Sequence, residues 1–156
     1  MHAFLTMRGT AMALVDLRWQ RTFRLSEERP FIGREQMEEF QAAVATWELQ
    51  AGVDRLAVFS AIPLMYQSTF LSRVADWFEN EKYSTVPIHH TETLMLLRTL
   101  RDGFSGDKLL MAGDLHMSFD SRICSTGGQS CMRQIVTSGL TTSASTLQAV
   151  RTVHVL

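Results

Sequence analysis

The feature that most restricts the fold of this chain is a set of three apolar runs that do not alternate with polar residues. The runs are AMALVDL (11–17), RLAVFS (55–60) and KLLMA (108–112). Continuous apolar runs of this length are typical of strands covered on both faces. Almost nothing precedes the first run, which indicates either that the domain begins abruptly or that upstream chain is missing.

The segments between these runs have helical periodicity. Residues 34–51 and 91–102 place apolar side chains three or four positions apart, and a further helix is predicted over 68–82. The order strand, helix, strand, helix, strand is the pattern of an α/β fold. The predicted core-facing residues are Met37, Phe40, Val44 and Trp47 in the first helix, and Leu94, Leu97 and Leu100 in the helix before the third strand.

The last third of the sequence consists of shorter, β-leaning segments. Residues 115–123 and 131–139 flank the turn-forming sequence STGGQS (125–130), so they predict a hairpin. Residues 140–150 are small and polar and predict a loop, and residues 151–156 predict a final strand. No interdomain linker is evident, so we expect a single domain over residues 1–156.

Composition excludes several classes of protein. The chain has 156 residues, 46% of them hydrophobic and 20% charged, which is enough for one domain with a substantial core. A formal net charge of −1 gives no basic surface for nucleic acid. No apolar run reaches the roughly 20 residues of a membrane-spanning helix. The N-terminus does not resemble a signal peptide, which favours a cytoplasmic location over export.

The two cysteines, Cys124 and Cys131, flank the predicted hairpin turn. They could face each other and form a single disulfide. Because the chain shows no export signal, we expect free, buried thiols instead.

Polar residues come directly after the three apolar runs or at their ends. Asp16 follows ALV, Ser60 follows AVF, and Gly113 with Asp114 follows LLMA. In open α/β sheets, ligands bind beyond the carboxyl ends of the strands. We therefore expect these residues to lie together at one edge of the sheet and to face a cleft.

Asp114 and His116 form an Asp-x-His pair at this predicted edge. In extended backbone, residues two apart point in the same direction, so the carboxylate and the imidazole could bind one cation. This donor pair suits a transition metal better than Ca²⁺ or Mg²⁺ alone. Gly-Asp is also ordinary turn chemistry, so a purely structural role for the segment stays open.

Five segments, taken in order, resemble blocks of the PhoD-like phosphatases, which belong to the calcineurin-like metallophosphoesterases. KLLMAGDLHMSFDSRI followed by MRQIVTSGLT resembles the family's apolar strand, Gly-Asp-x-His and Gln-hydrophobic-x-Ser elements. VDLRWQR looks like its Asp-x-Arg-x-x-Arg, and FIGREQMEEF is similar to its Gly-x-x-Gln helix start. VFSAIPLM resembles its strand ending in proline, and PIHHTETLMLLRTL its histidine before a Glu-containing helix.

The resemblance implies an α/β/β/α sandwich that hydrolyses phosphomonoesters or phosphodiesters with bound metal ions, which in this family could be Fe, Ca, Mn or Zn. Asp114 and His116 match the family's metal-binding Gly-Asp-x-His. Arg18 could hold the phosphate, because a guanidinium donates two parallel hydrogen bonds; a structural ion pair is the alternative. His90 could protonate the leaving group, although an exposed loop histidine is the alternative.

The sequence also departs from the family pattern. Family members supply further metal ligands upstream of the Asp-x-Arg strand. In this sequence, His2 is the one candidate metal ligand before Asp16. We therefore expect the chain to match the C-terminal half of the catalytic domain, as an N-terminally truncated portion. Activity would then require the upstream half or another chain. The alternative is a non-catalytic interaction protein, or a remnant of the fold that binds phosphate or metal without turnover.

Overall fold

The computed structural model describes residues 2–18, 30–65, 90–113, 118–125, 128, 130–137 and 152–155. The predicted helix 68–82 and the predicted loop 140–150 lie outside these residues. The strands are β1 (Ala3–Met7), β2 (Thr10–Val15), β3 (Arg55–Ser60), β4 (Asp107–Ala112), β5 (Phe119–Ser125), β6 (Cys131–Val136) and β7 (Thr152–Val155), and the helices are α1 (Arg34–Leu49) and α2 (His90–Gly103).

The described strands form one seven-stranded sheet in the order β1-β2-β3-β4-β6-β5-β7. Strands β2, β3, β4 and β6 are parallel neighbours, so the three apolar runs are adjacent strands, as predicted. The predicted hairpin is β5 with β6, and the predicted last strand is β7. Because the four parallel strands end on the same side, they define one carboxyl edge of the sheet, with the amino edge opposite.

The sequence did not indicate β1. This strand pairs antiparallel with β2 through a two-residue turn at Arg8 and Gly9, in which both residues have positive φ (48° and 79°). Two-residue hairpin loops with positive φ at both positions match the twist of the flanking strands. Asparagine or aspartate followed by glycine is the usual signal for such a turn, and arginine at the first position does not provide it.

Both helices lie on one face of the sheet, which we call the helix face. Its central strand positions, including Ala13, Val58 and Leu110, are buried with the apolar sides of α1 and α2 in one core. Strands β2, β3 and β4 follow one another in one direction across the sheet. Right-handed connections between them therefore place both helices on the same side, rather than one helix on each face.

The predicted stripe of α1 is confirmed, because its four apolar residues are all buried. In α2 the stripe is shifted. Leu96, Leu97 and Leu100 are buried, whereas Leu94 is half-buried. The segment contains four leucines within seven positions, so spacing alone could not identify which of them meets the core.

The opposite face, which we call the open face, differs sharply in exposure. Leu5, Met7 and Leu14 point to this side and are 44%, 56% and 47% exposed. Among the described residues no helix covers this face. The continuous apolar runs predicted strands covered on both faces, and the described part of the chain covers only one of them.

The prediction of free thiols at Cys124 and Cys131 is wrong. The two residues are direct partners in the β5–β6 ladder, with Cα atoms 4.1 Å apart, and they form a disulfide. Closely spaced antiparallel pairs have Cα atoms about 4.5 Å apart, within reach of a disulfide.

Replacing both Cys124 and Cys131 by serine should lower the free energy of unfolding by about 2 kcal/mol, because the bond closes a short loop in the unfolded chain. Denaturant unfolding with and without a reductant measures this change. Reduction should destabilise the parent protein by a similar amount and leave the double variant unaffected. An unchanged midpoint for the parent protein on reduction would contradict the assignment.

Candidate functional site

The polar residues that end the parallel strands meet at the carboxyl edge, as predicted for those that are described. The register pairs Val15 with Ser60 and Ser60 with Ala112. Asp16 and Gly113 are the next residues of their strands, and they therefore lie beside Ser60. Ser60 donates its hydroxyl to the carbonyl of Ile62 (2.7 Å), which tightens the turn that leaves β3.

A buried glutamine joins the end of β2 to the start of α1. Gln36, 5% exposed, accepts a hydrogen bond from the backbone N–H of Asp16 and donates one to its carbonyl, both at 2.8 Å. Its Nε2 also donates to the carbonyl of Ile32 at 3.0 Å. The first turn of α1 is thus fixed against the carboxyl edge, and the backbone of Asp16 is held from both sides.

A glutamate in the first turn of α2 holds the loop before α1. Glu92 Oε2 accepts hydrogen bonds from the backbone N–H groups of Phe31 (2.5 Å) and Ile32 (2.7 Å), with Gly33 N at 3.5 Å. A carboxylate bound to several N–H groups next to a helix N-terminus is a strong, charge-assisted arrangement. It brings the N-terminus of α2 beside that of α1, so both helices begin at the carboxyl edge.

A third polar side chain holds the loop after β3. Gln134, fully buried in β6, accepts from the backbone N–H of Leu64 (3.0 Å) and Met65 (3.4 Å). Its Nε2 donates to the carbonyl of Met65 at 2.6 Å and lies 3.3 Å from the hydroxyl of Ser121. One carboxamide therefore satisfies the backbone of a loop about 70 residues away in sequence.

The two predicted catalytic residues, Arg18 and His90, belong to segments at the carboxyl edge. Arg18 is exposed two residues beyond Asp16, and its backbone N–H donates to Asp16 Oδ1 at 2.9 Å. This bond forms a tight turn directly after β2. His90 is the first residue of α2, so its backbone stands at the same edge.

The predicted metal ligands Asp114 and His116 lie outside the described residues. Within the part of the chain that the structure describes, no group of three or more His, Cys, Asp or Glu side chains could hold a metal ion. Asp16 is engaged with the Arg18 backbone, and Ser60 with that of Ile62. The described residues therefore do not fit a metal centre by themselves.

A groove of about 690 Å³ lies at the other end of the sheet, along the amino edge. Its charged residues are Arg55, Asp107, Lys108, Arg122 and Arg133. Acids outside the lining offset much of this positive charge. Arg55 lies 3.7 Å from Asp54, and Arg133 pairs with Asp120. Glu48 attracts Lys108 electrostatically. The groove thus offers no strongly charged site, and it lies far from the strand ends that the sequence singles out.

Two acids beside this groove, Asp120 and Glu48, have lowered pKa values. Hydrogen bonds from Arg133 lower the pKa of Asp120, and the backbone N–H of Ser105 lowers the pKa of Glu48. Burial lowers the pKa of Lys108, against the attraction of Glu48 and Asp107. These groups are largely exposed, so they stabilise the fold only weakly.

The chain is similar in structure to a solved protein described as the structure of PhoD. The TM-score is 0.62, the sequences are 13% identical, and the match covers 90% of this chain and 29% of that one. The likeness shows an α/β fold of the PhoD type, in agreement with the fold that the sequence predicts. The chain spans less than a third of the length of that protein.

No protein-family model matches the sequence, and no curated protein matches it. Among the described residues, no helix is long and apolar enough to cross a membrane.

Sequence reasoning did not assign a role to Gln36, Glu92 or Gln134, although each lies in a segment that resembles the family. One signal could have identified Gln134. It alternates with Met132 and Val136, so it occupies a core-facing position of an otherwise apolar strand face. A polar residue at such a position must have a buried partner. The partner itself could not be named without the fold.

Replacing Gln134 by methionine should lower the free energy of unfolding by about 2 to 4 kcal/mol, because the polar backbone of Leu64 and Met65 would lose its buried partners. Denaturant unfolding measures this, with Gln41→Met as the matched control. Among the described residues, Gln41 makes one long bond, to Thr99 (3.4 Å), so its replacement should cost about 0.5 kcal/mol or less. Equal costs for both variants would contradict the role of Gln134.

Proposed function

We propose that the chain is part of a metal-dependent phosphoesterase whose site lies at the carboxyl edge of the sheet. The observation that carries the proposal is the fixed geometry of this edge. Two helix N-termini and the loops after β2 and β3 are held there by Gln36, Glu92 and Gln134. Rigid placement of polar groups beyond parallel strands is what a phosphate-handling site requires.

The proposed metal ligands are Asp114 and His116. The chain leaves the described part after Gly113 and re-enters it at Ser118, and both of these residues belong to the carboxyl edge, next to β4 and β5. This supports a position of the Asp-x-His segment at the same edge. Two protein ligands are too few for a catalytic metal site, so further ligands are needed to complete it.

Arg18 and His90 are the proposed substrate-handling residues. Arg18 is exposed and three residues beyond the end of β2, where a guanidinium can bind two oxygens of a phosphate ester. His90 opens α2 at the same edge and is proposed to protonate the leaving oxygen. The likeness to PhoD supports a phosphate ester as the substrate class.

A second candidate function is a binding module without turnover. The chain matches 29% of the PhoD chain, and its described residues do not complete a metal centre. A chain of this kind could bind a metal ion or phosphate weakly, or could dock to a partner, without hydrolysis. The two candidates differ in whether supplying an upstream half restores turnover.

Mn²⁺ binding, followed by electron paramagnetic resonance, tests the proposed ligands. The chain should bind Mn²⁺ weakly, and Asp114→Asn or His116→Ala should weaken binding by about tenfold or more, because either change removes half of the protein donors. Asp102→Asn is the matched control. Asp102 is an exposed acid in the last turn of α2 that pairs with Arg101, so its replacement should leave binding unchanged.

Phosphate release from a chromogenic ester completes the test. This chain alone should release phosphate at a rate near background. Adding the upstream half should raise that rate in an Asp114-dependent manner. Equal Mn²⁺ affinities for the Asp114→Asn and Asp102→Asn variants would remove Asp114 from the ligand set. Robust, Asp114-dependent turnover by residues 1–156 alone would show that the chain is a complete enzyme.

A further inference from the structure

One chain of hydrogen bonds runs along the carboxyl edge from the residues after β2 to the start of α2. It begins at Arg18, whose backbone N–H donates to Asp16 Oδ1 at 2.9 Å. The backbone of Asp16 exchanges two bonds of 2.8 Å with the Gln36 carboxamide. Gln36 Nε2 also donates to the carbonyl of Ile32 at 3.0 Å. The N–H of Ile32 donates to Glu92 Oε2 at 2.7 Å, so the chain of bonds ends in the first turn of α2.

The peptide groups of Ile32 are the point where the two halves of this chain of bonds meet. Its carbonyl binds Gln36 on α1, and its N–H binds Glu92 on α2. The side chain of Ile32 is fully buried, which fixes the residue between the two helix starts. Gly33, the residue before α1, has no side chain that could cap the helix. Bonds from other elements therefore determine where α1 begins.

Stability alone does not account for the polar members of this chain of bonds. Gln36 is 5% exposed and belongs to the buried residues of α1, which are otherwise apolar. An intramolecular hydrogen bond adds little net stability, because bonds to water are lost when it forms, and an apolar side chain of similar shape can serve burial equally well. A fully satisfied polar network, in contrast, selects one arrangement of its members.

We infer that Gln36 and Glu92 are positioning residues that act as one unit and set the separation between Arg18 and His90. This role rests on the proposed function, in which Arg18 binds the phosphate ester and His90 protonates the leaving oxygen. Arg18 is bonded to Asp16 at one end of the unit, and His90 lies two positions before Glu92 at the other. A displacement of about 1 Å between reacting groups can lower a rate roughly 100-fold.

A distance measurement between residues 18 and 90 tests this role on the chain alone. Nitroxide labels are attached at Arg18→Cys and His90→Cys, and the native cysteines do not react because they form a disulfide. The dipolar coupling in electron paramagnetic resonance should give one narrow distance distribution. Gln36→Met and Glu92→Leu should each broaden it. The double variant should broaden it no further than the single variants, because either change already interrupts the chain of bonds.

Two further variants separate positioning from a loss of stability. Glu92→Gln keeps a side-chain oxygen for the N–H of Ile32, so it should retain the narrow distribution. Gln134→Met is the matched control, because it also removes a buried carboxamide that binds loop backbone, but in the loop after β3. It should leave the distance unchanged. Equal broadening by Gln134→Met and Gln36→Met overturns the inference, and so does a distribution that neither Gln36→Met nor Glu92→Leu changes.

Circular dichroism checks that each variant is folded. Gln36→Glu, which keeps the acceptor for Asp16 and loses both donated bonds, replaces Gln36→Met if that variant is not folded, and Glu92→Ala replaces Glu92→Leu.

Kinetics with the upstream half added, and without labels, connects the distance to the reaction. Gln36→Met and Glu92→Leu should each lower kcat/KM for a chromogenic ester about tenfold or more, and the double variant should be no worse than the poorer single variant. An unchanged kcat/KM in a variant with a broadened distance overturns the positioning role. A parent chain without turnover under these conditions would overturn the proposed function, while the distance measurement still decides whether Gln36 and Glu92 set the separation.

Discussion

The arrangement of the carboxyl edge depends on three buried or half-buried polar side chains that bind loop backbone. Gln36, Glu92 and Gln134 belong to three different elements, and each hydrogen-bonds to N–H or C=O groups of a loop. A buried backbone group without a partner costs about 1 to 3 kcal/mol. The paths of these loops are therefore determined by single side chains.

The hydrogen bonds of these three side chains also hold the proposed site in place. A site that handles phosphate requires its groups to stay within fractions of an ångström of a productive position. Here Gln36 holds the backbone of Asp16, two residues before Arg18, and Glu92 fixes the helix start that carries His90. The three polar side chains are thus part of the support of the proposed site, although none of them needs to touch a substrate.

The sequence predicted those parts of the fold that follow from local pattern. The continuous apolar runs identified β2, β3 and β4, because strands in the middle of a parallel sheet must be apolar on both sides. The strand β1 was missed because its turn places Arg8 at positive φ, and the disulfide because strand register is not visible in a sequence. The distant backbone partners of Gln36, Glu92 and Gln134 lie 20, 61 and 70 residues away, beyond any local signal.

A continuous apolar run also does not reveal whether its second face is covered by the same chain. On the helix face, Ala13, Val58 and Leu110 meet α1 and α2 and are buried. On the open face, Leu14, Phe59 and Met111 have the same apolar character but lack a described helix above them. The carboxyl edge and the open face are different surfaces of the same sheet, so a cover over the open face would leave the proposed site accessible.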